Sequence, residues 1–510
     1  MMMTKNNIIY AALFLMFGAI NVSAQNSSDF VEDIRAGESV MSAPIEETAS
    51  QKASDRFQAD PIMRYASLGI SVMDINTLHE VSACNSTIAD IPASTMKTVT
   101  CASAIGILGP EYRFSTHVKL QGGKNSDGVF TGKIIVEGGG DPTLDSKHFE
   151  REQGFCENIT GALKAQGIKS VVGKIEVITS PAVDAYSANW PLDDIVWDYG
   201  AGAFLFNYAD NCFTMSFSME GDMVTLTKCR PEIPGVTLRN EITYISPKSG
   251  VPVSGIEAYR DINSNEIVLT GFSQLKSKKT TSGYTLSIPN PAEYFKKALA
   301  SYLNANGVKF VEKEGVTISD AATELTVYYS PALSDIAQSA LERSDNMFTE
   351  CILRAIGYKR YNVWSEKVSI RDVKKFWEAR GLSSGALFMN DGSGLSRRNK
   401  ISARFLATLL SKAQTTGLGA DFDYASILPV AGVNGTVKPL LQDTQYQGSF
   451  AVKSGSMGEV LCYAGLYPVE NPKYAIVILT NNFSTNYRGM RKRIQDFLLE
   501  LLPTLDVNSK

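Results

Sequence analysis

The stretch "IPASTMKTVT", residues 91–100, largely decides how this chain folds. It places Ser94 and Lys97 three positions apart at the start of a predicted apolar helix, just after Pro92. Positions i and i+3 share a helix face, so the Lys97 amine can reach the Ser94 hydroxyl and, when neutral, act as its base. Free N–H groups at a helix start can also stabilise an oxyanion. The competing interpretation makes Ser94 an N-cap and Lys97 a solvated charge.

Two further short motifs supply a second serine, an amide and a second lysine. The motif SDN at Ser344–Asn346 falls between two segments with helical periodicity, where side chains can enter a cleft. The motif KSG at Lys453–Gly455 begins a predicted sheet edge, which can pair with a peptide while lysine and serine hold its carboxylate. Other copies, SxxK at Ser273–Lys276 and KSG at Lys248–Gly250, lie in a strand ending in exposed lysines and in a proline-bounded loop.

Each member of this set also has a structural interpretation. Ser344 can cap a helix, Asn346 can occupy a turn, and Lys453 can be a solvated surface charge. Taken singly, each motif is close to what chance provides. The ordered combination of all three favours catalysis by a serine whose base is a lysine.

Length, charge and histidine spacing narrow the remaining chemistry. The chain has 510 residues, more than one core usually holds, so at least two domains are expected. Its formal net charge of -4 gives no basic excess for nucleic acid. Since His79, His117 and His148 show no metal-ligand spacing, the sequence predicts neither a zinc peptidase nor another metal or cofactor. No GxSxG elbow is present for a histidine-dependent serine hydrolase.

The chain has seven cysteines and is expected to fold in an oxidising compartment. In "NCFTMSFSMEGDMVTLTKCR", a tight turn over Glu220 and Gly221 would place Cys212 opposite Cys229 on neighbouring strands. A disulfide between them and two free thiols are both open at this stage. The cysteines expected to be small buried side chains in apolar runs are Cys101, Cys351 and Cys462.

Residues 1–60 have the composition of a leader segment. Residues 1–24 combine one positive charge, an apolar run and small residues around Ser23, which predicts an export signal cut after Ala24. Residues 25–60 are polar and acidic with little periodicity, which predicts a mobile leader. The apolar run is shorter than the roughly 20 residues that a membrane span requires, and no later apolar run reaches that length either. We therefore expect an exported, soluble chain with no transmembrane segment after processing.

Hydrophobic periodicity changes along the remaining chain. Two strands are predicted on either side of residues 74–77, followed by the helix that contains Lys97. From about 111 to 324, short alternating runs broken by glycine, proline and asparagine predict mainly β structure. Helical periodicity then returns in three segments, residues 334–357, 369–381 and 402–414. Three strands and a final helix follow; the basic start of that helix permits a membrane-surface role, but packing on the preceding sheet is favoured.

Longer stretches around the motifs resemble a known family. They are "PASTMK", "GGGDPTL" at 138–144, "RSDNMFTE", "NDGSGLSRRNKISA" at 390–403 and "LPVAGVNGTV". Together with the three motifs, these stretches are similar to the class C, low-molecular-mass penicillin-binding proteins, the D-alanyl-D-alanine carboxypeptidase/endopeptidases. The resemblance covers most of the chain after about residue 60.

The resemblance implies an α/β fold. A transpeptidase or serine β-lactamase-like domain, with helices packed on an antiparallel sheet, would be interrupted by a large, mainly β insertion. The motif spacing agrees, because the interval between the first two motifs is more than twice that between the last two. We therefore expect the penicillin-binding domain at 61–115 and 325–510, and an inserted region of two subdomains at 116–324.

By resemblance, the chemistry belongs to the first two motifs. Ser94 would attack the carbonyl between two terminal D-alanines while Lys97 takes its proton, and Ser344 would relay a proton to the leaving amine. Asn346 would hydrogen-bond the substrate amide and help to orient Lys97. Water then hydrolyses the acyl-enzyme, or an acceptor amine takes the acyl group.

The third motif is expected to bind the end of the substrate. Lys453 and Ser454, in the motif completed by Gly455, would hold the terminal carboxylate, and the N–H groups of Ser94 and Ser456 would form the oxyanion hole. Serine at 454 replaces the family's usual threonine and keeps the hydroxyl. The implied partners are peptidoglycan peptides that end in D-Ala-D-Ala or are cross-linked through D-Ala. Penicillins mimic them and would leave a slow ester on Ser94.

The segment "WPLDDIVWDYGAG", residues 190–202, resembles the family's contact with the diaminopimelate side chain. On that pattern Asp194 would meet the amine, Tyr199 would pack beside it, and Arg397 would pair with the carboxylate. The alternative makes Asp194 a surface acid and Arg397 one half of a structural ion pair.

Two rival functions stand beside the peptidase. A serine β-lactamase has the same three motifs, but it needs a base for fast deacylation, and no glutamate stands in a suitable position. A non-catalytic module that binds the cell wall is the rival from another class, and the intact motif set argues against it. The resemblance implies a periplasmic protein, soluble or peripherally associated with the wall or membrane. The sequence leaves open both the balance of carboxypeptidase and endopeptidase action and the choice between monomer and homodimer.

Overall fold

The structure is a computed structural model that describes residues 48–150, 153–220, 223–251, 255–273, 281–315, 321–419 and 422–507. The predicted export signal at 1–24 and the leader as far as residue 47 lie outside the described residues. The α-helices are α1 Ala49–Gln58, α2 Met96–Leu108, α3 Phe155–Ala165, α4 Ala182–Ala185, α5 Pro291–Ala305, α6 Leu333–Arg343, α7 Asn346–Tyr361, α8 Glu366–Glu378, α9 Ala403–Thr415 and α10 Tyr487–Val507. Among these, we find none whose length and apolar character would suffice to cross a membrane.

The strands are β1 Ser67–Asp74, β2 Glu80–Cys84, β3 Ala89–Asp90, β4 Ser115–Lys124, β5 Val129–Glu137, β6 Ser170–Ile178, β7 Cys212–Glu220, β8 Met223–Arg230, β9 Thr237–Asn240, β10 Thr243–Tyr244, β11 Ile256–Tyr259, β12 Glu266–Ser273, β13 Thr281–Ser287, β14 Lys309–Glu312, β15 Thr323–Tyr329, β16 Leu387–Phe388, β17 Lys400–Ser402, β18 Ala451–Met457, β19 Val460–Tyr467 and β20 Tyr474–Asn481. The two strands predicted around residues 74–77 are β1 and β2, and the three predicted near the end are β18, β19 and β20.

An antiparallel sheet of order β18-β19-β20-β1-β2, the central sheet, joins the two ends of the described chain. β20 pairs with β1 along its whole length, from Ser67 opposite Asn481 to Asp74 opposite Tyr474. β19 and β20 are buried at every position, as expected for strands covered on both faces. β18, which carries the KSG motif, forms one edge of this sheet.

Two hydrophobic clusters cover the two faces of the central sheet. One packs α2, α6, α7, α8 and α9 against residues such as Cys462 and Val477. The other packs α1 and α10 against residues such as Ile476 and Ile478. Successive residues of a strand point to opposite faces, so β20 contributes to both clusters. This layering confirms the predicted α/β fold of helices on an antiparallel sheet, and the final helix packs on that sheet as favoured above.

The predicted leader is wrong at its end, because residues 49–58 form α1. Thr48 caps this helix by accepting a hydrogen bond from a backbone N–H of its first turn. Ala53 and Phe57, one turn apart, are buried, and the Phe57 ring stacks on Phe497 of α10 with centroids 5.2 Å apart. A single aromatic residue among polar neighbours is a weak local pattern, and the burial depends on a helix from the other end of the chain.

The helix α2 is buried around its whole circumference from residue 96 to residue 105. A helix that is buried on every side belongs in a core, which agrees with its place between the sheet and the other helices. A 3-10 helix at Ala93–Thr95 precedes it, after Pro92, and Gly109 ends it with a φ of 88° that favours glycine. Ser94 therefore lies at the start of a rigid, buried element.

The chain leaves this helical layer through β4 and returns through β15. These strands pair antiparallel from Ser115 opposite Tyr329 to Leu120 opposite Thr323, within a sheet of order β14-β6-β5-β4-β15. α3 and α5 share a hydrophobic cluster with this sheet. Another cluster joins two smaller sheets, one of order β13-β7-β8 and one formed by β9 to β12. The exact bounds of the insertion, placed at 116–324, and its division into two subdomains stay predictions.

Of the two alternatives left open for Cys212 and Cys229, the structure has the free thiols and not the disulfide. β7 and β8 form the expected hairpin, but its turn falls later than predicted and the register shifts once more along the strands. Cys229 therefore lies opposite Met215, while Cys212 pairs with Ser287 on β13. Three positions along a strand amount to roughly 10 Å, beyond the reach of a disulfide. All seven cysteines are free thiols. Cys101, Cys351 and Cys462 are buried, as predicted.

Candidate active site

The start of α2 places Ser94 at the wall of a cavity. The Thr95 hydroxyl donates to the carbonyl oxygen of Pro92 at 2.7 Å, which fixes the 3-10 turn. Ala93 has a φ of 46°, a left-handed conformation that costs a non-glycine residue about 1–2 kcal/mol. Such strain persists only where the surrounding structure holds it, and it is common at functional sites. Ser94 itself is half-buried.

Lys97 is fully buried and contacts Ser94. Its Nζ lies 3.0 Å from Ser94 Oγ, 2.5 Å from Asn346 Oδ1 and 2.7 Å from the Ser393 carbonyl oxygen. The amide and carbonyl oxygens can only accept, so they take the two N–H groups of a neutral amine. The nitrogen lone pair is then left for the Ser94 hydroxyl proton. This is the geometry of a general base beside its nucleophile.

Burial sets the charge of the two lysines. It lowers the pKa of Lys97 from 10.5 to about 8, although the carboxylates of Asp391, Asp345 and Glu350 oppose the change. Burial also lowers the pKa of Lys453 well below its usual range, and the nearby Lys97 adds to that effect. With a pKa of about 8, roughly a tenth of Lys97 is neutral at neutral pH. A buried lysine with this pKa can accept a proton.

The connection between α6 and α7 positions the SDN motif. Ser344 ends α6 in a left-handed conformation with a φ of 61°. The half-buried Asp345 caps α7 by accepting from the backbone N–H of Phe348 at 3.0 Å, and loss of hydration raises the pKa of its carboxyl. Asn346 then begins the helix at the cavity, where its Nδ2 donates to the Tyr199 carbonyl oxygen at 2.7 Å. The Asn346 side chain therefore contacts both Tyr199, in the predicted insertion, and the buried amine of Lys97.

The edge strand β18 carries the KSG motif past the start of α2. Lys453 is fully buried, and its Nζ donates to the Ser454 carbonyl oxygen at 2.7 Å. Ser454 Oγ lies 2.7 Å from Thr436 Oγ1, so two hydroxyls meet at the cavity wall. At Gly455 a Cβ atom would come within 2.5 Å of the Pro92 carbonyl oxygen. Only glycine lets this strand approach the helix start so closely.

The three motifs meet at one cavity of about 530 Å³. Lys97 and Lys453 are buried behind its wall, and Gly455 packs against the start of α2. The predicted site residues that line the cavity are Ser94, Asp194, Tyr199, Ser344, Asn346, Arg397, Ser454 and Ser456. The structure thus brings every predicted site residue together, and their individual roles stay predictions.

Asp194, Tyr199 and Arg397 reach this cavity from two segments far apart in sequence. The Tyr199 hydroxyl donates to Asp194 Oδ1 at 2.9 Å. Burial raises the pKa of Asp194 and also that of Tyr199. The Arg397 guanidinium occupies space that any side chain at Gly458 would need, with Nη2 2.5 Å from the Cβ position. The Arg397 charge acts on Asp194 and opposes the rise of its pKa, and both side chains line the cavity.

Sequence reasoning missed several residues at the cavity. Thr436 belongs to the quoted stretch "LPVAGVNGTV", so its motif could have identified it. Tyr487 and Arg491 come from the first turns of α10, and the Tyr487 hydroxyl donates to the Gly458 carbonyl oxygen. No local pattern marks these two residues, because only the packing of the last helix brings them to the site.

Comparisons with known proteins agree with the fold and the site. The family model of the D-Ala-D-Ala carboxypeptidase 3 (S13) family matches residues 50–501. A D-alanyl-D-alanine carboxypeptidase from an Actinomadura species is 24% identical over 448 residues, covering 84% of this chain and 80% of that protein. The D-alanyl-D-alanine carboxypeptidase DacB from Haemophilus influenzae is 24% identical over 434 residues, covering 82% of this chain and 86% of that protein.

Solved structures show the same fold. The crystal structure of penicillin binding protein 4 (dacB) from Haemophilus influenzae matches with a TM-score of 0.74 and 22% identity, covering 89% of this chain and 99% of that one. A second structure of that protein, complexed with a novel β-lactam, gives a TM-score of 0.69. The fold is that of penicillin binding protein 4, and the family match identifies a serine peptidase. This chain belongs to the D-Ala-D-Ala carboxypeptidase 3 (S13) family, which confirms the resemblance stated above.

Proposed function

We propose that this protein is a serine-type D-alanyl-D-alanine carboxypeptidase, acting on peptidoglycan stem peptides through an acyl-enzyme at Ser94. The observation that carries the proposal is the environment of Lys97, whose fully buried amine contacts Ser94 Oγ and two oxygen acceptors. Burying a lysine without a partner of opposite charge is costly, and strongly perturbed groups in clefts are concentrated at functional sites. Family membership supplies the reaction class.

Acylation follows from the contacts of these side chains. Ser94 Oγ attacks the carbonyl carbon between the terminal D-alanines while its proton passes to Lys97 Nζ, 3.0 Å away. The C–N bond then breaks, and Ser344 relays a proton to the departing amine of D-alanine. The oxyanion is stabilised by the N–H groups of Ser94 and Ser456. Water then hydrolyses the ester: its oxygen bonds to the carbonyl carbon, the bond to Ser94 Oγ breaks, and a proton returns to the serine.

Substrate binding uses the edge of β18 beyond Val452, since the first residues of this strand already pair with residues 429–431. An extended peptide can add to this edge as a further strand, which gives main-chain hydrogen bonds without reading side chains. The paired hydroxyls of Ser454 and Thr436 offer donors to the terminal carboxylate. Lys453 lies buried behind them and donates to the Ser454 carbonyl oxygen, which holds this part of the strand in place. These groups select a free carboxyl end in a carboxypeptidase substrate.

The other part of the cavity recognises the side chain of the stem peptide. Asp194 would meet the amine of diaminopimelate and Arg397 its carboxylate, with Tyr199 holding the aspartate. The same contacts would accept a cross-linked peptide, in which case the enzyme acts as an endopeptidase. Access to such substrates requires export, and we propose a periplasmic location with cleavage of the signal at residues 1–24.

β-Lactams are proposed as covalent inhibitors of the same serine. The Haemophilus influenzae relative has been crystallised with a β-lactam, which supports this extension. Among the described residues that line the cavity, Asp194 is the one carboxylate, and it already accepts from Tyr199. Since a β-lactamase needs a base to activate its deacylating water, this wall favours a long-lived ester over antibiotic turnover.

Release of D-alanine from a diaminopimelate pentapeptide tests the proposed activity. We expect the exported form of the protein to release one D-alanine per peptide, and we expect Ser94→Ala to release none. Ser384→Ala, which changes a serine of the described chain outside the cavity, serves as the matched control and should keep full activity. Equal release by the protein and by Ser94→Ala would reject the acyl-enzyme.

A further inference from the structure

The two oxygen acceptors that hold Lys97 belong to different elements. Asn346 is the first residue of α7, but Ser393 lies in the connection "NDGSGLSRRN", residues 390–399, between β16 and β17. The Ser393 carbonyl accepts from Lys97 at 2.7 Å. A loop carbonyl can direct an amine only if the loop is itself fixed, so the supports of this peptide group decide how well Lys97 is aimed.

Glu350, on α7, holds the two peptide groups that come just before the Ser393 carbonyl. Its Oε1 accepts from the backbone N–H groups of Gly392 at 2.9 Å and Ser393 at 2.8 Å, and its Oε2 accepts from Arg354 Nη1 at 2.6 Å. All three partners are donors, which is the environment of a carboxylate. Glu350 is fully buried and lies four residues after Asn346, on the same face of the helix. One helix face therefore controls both acceptors of the amine.

Other contacts hold the rest of the loop. Asp391 Oδ2 accepts from Trp190 Nε1 at 2.7 Å and Asp391 Oδ1 accepts from Asn399 Nδ2 at 2.7 Å. The Thr100 hydroxyl, on α2, donates to the Gly392 carbonyl oxygen at 2.7 Å. These bonds fix the flanks of the loop and one side of the 392–393 peptide group. The N–H of that peptide group is held by Glu350. The N–H of Gly394, which shares a peptide group with the Ser393 carbonyl, donates to Asp391 Oδ1 at 2.8 Å.

We propose that Glu350 is a positioning residue for acylation. It holds the Ser393 carbonyl where that oxygen accepts from Lys97, and it thereby keeps the amine's lone pair directed at Ser94. The inference rests on the proposed function, because it concerns the base of that reaction. Misplacing a reacting group by about 1 Å costs on the order of a hundredfold in rate. Loss of the carboxylate should therefore slow acylation by about ten- to a hundredfold.

Glu350 also acts on the charge of Lys97, which gives the proposal a second readout. A neutral lysine is the active form, so the acylation rate rises with pH through the pKa of Lys97. The charge of Glu350 raises that pKa, so its removal moves the rising limb of the pH profile to lower pH. The charged or titratable groups that act on Lys97, or that Lys97 acts on, are Asp391, Asp345, Glu350, Cys101 and Lys453.

Three variants separate positioning from general damage. Glu350→Ala removes both acceptor oxygens and the charge. Glu350→Gln keeps one oxygen for the loop but removes the charge and the acceptor for Arg354. Asp372→Asn is the matched control, because Asp372 is also buried and paired with an arginine, Arg360 at 3.1 Å, but has no contact with Lys97. The acylation rate with a fluorescent penicillin is measured from about pH 6 to pH 10, with circular dichroism to verify folding.

We expect Glu350→Ala to be acylated about ten- to a hundredfold more slowly than the parent. The plateau acylation rate of Glu350→Gln should stay within about fivefold of the parent's, and the midpoint of its pH profile should lie at lower pH. Asp372→Asn should match the parent in both quantities. A folded Glu350→Ala with the parent's rate, or a Glu350→Gln profile at the parent's midpoint, would overturn the proposal. If Glu350→Ala does not fold, the midpoint of Glu350→Gln decides. A parent protein that forms no adduct on Ser94 would instead refute the proposed function.

Discussion

Replacing Lys97 by methionine should separate the stability of this protein from its activity. Below about pH 8 the parent carries an ammonium group at a fully buried position, and its lowered pKa, from 10.5 to about 8, measures the cost of burying that charge. The shift corresponds to roughly 3 kcal/mol. Methionine has a similar length and no charge, so it removes this cost.

The variant also loses hydrogen bonds. Asn346 and Ser94 line the cavity and can turn to water, but the Ser393 carbonyl oxygen loses a buried donor, which costs about 1–3 kcal/mol. The two contributions nearly balance. At pH 7 we therefore expect Lys97→Met to be between equally stable and about 2 kcal/mol more stable than the parent.

The pH dependence of the stability difference has a definite sign. The folded parent releases its Lys97 proton near pH 8 and the unfolded chain near 10.5, so the unfolded state binds more protons in this window. The parent therefore gains stability as the pH rises from about 8 to 10.5, whereas the variant has no such gain. The advantage of the variant should fall by roughly 3 kcal/mol between pH 7 and pH 10.5.

Urea unfolding at several pH values, with penicillin acylation measured in parallel, tests both expectations. Loss of a general base should slow acylation by about 10²- to 10⁴-fold. Lys52→Met, at an exposed lysine of α1, is the control and should change neither quantity. A stability difference between Lys97→Met and the parent that is independent of pH would refute the reasoning, and so would acylation at the parent's rate.

Three further predictions concern the cavity wall and the thiols. Arg397→Ala should raise the KM for a diaminopimelate peptide about tenfold or more by removing a charge-assisted contact, while penicillin acylation and the neighbouring variant Arg398→Ala stay near the parent. Gly455→Ala places a Cβ 2.5 Å from a backbone carbonyl oxygen, so thermal unfolding should show that the free energy of unfolding falls by about 1–3 kcal/mol. The control Gly385→Ala, where the nearest atom is 3.5 Å from the Cβ position, should lose no stability. Cys212 and Cys229 should both react with iodoacetamide in unfolded, unreduced protein. If both were protected from the reagent, a disulfide between them would be indicated and the free-thiol interpretation would fail.

Local spacing explains what could be predicted from the sequence. The i, i+3 relation of Ser94 and Lys97 needs only a helix, and the apolar run after them ensures one. The SDN motif was predictable as a connection because helical periodicity stands on both sides of it. The KSG motif was placed on a sheet edge by the strand pattern that follows Lys453.

The remainder depends on contacts between distant segments. The helix at 49–58 is held by α10, so its own sequence shows little sign of it. The pairing of Cys229 with Met215 rather than Cys212 follows from a late turn and a register shift that alternation alone does not predict. Glu350 ends the quoted stretch "RSDNMFTE", but no spacing rule marks it as a site residue, because it acts on Lys97 through the backbone of a distant loop.

Mass spectrometry of the protein with and without benzylpenicillin tests the central claim most directly. The account predicts one stable penicilloyl group per chain, on the peptide that contains Ser94, and no adduct on Ser94→Ala. Rapid antibiotic turnover without a lasting adduct would contradict it in favour of a β-lactamase. No reaction at all would contradict it in favour of a non-catalytic module that binds the cell wall.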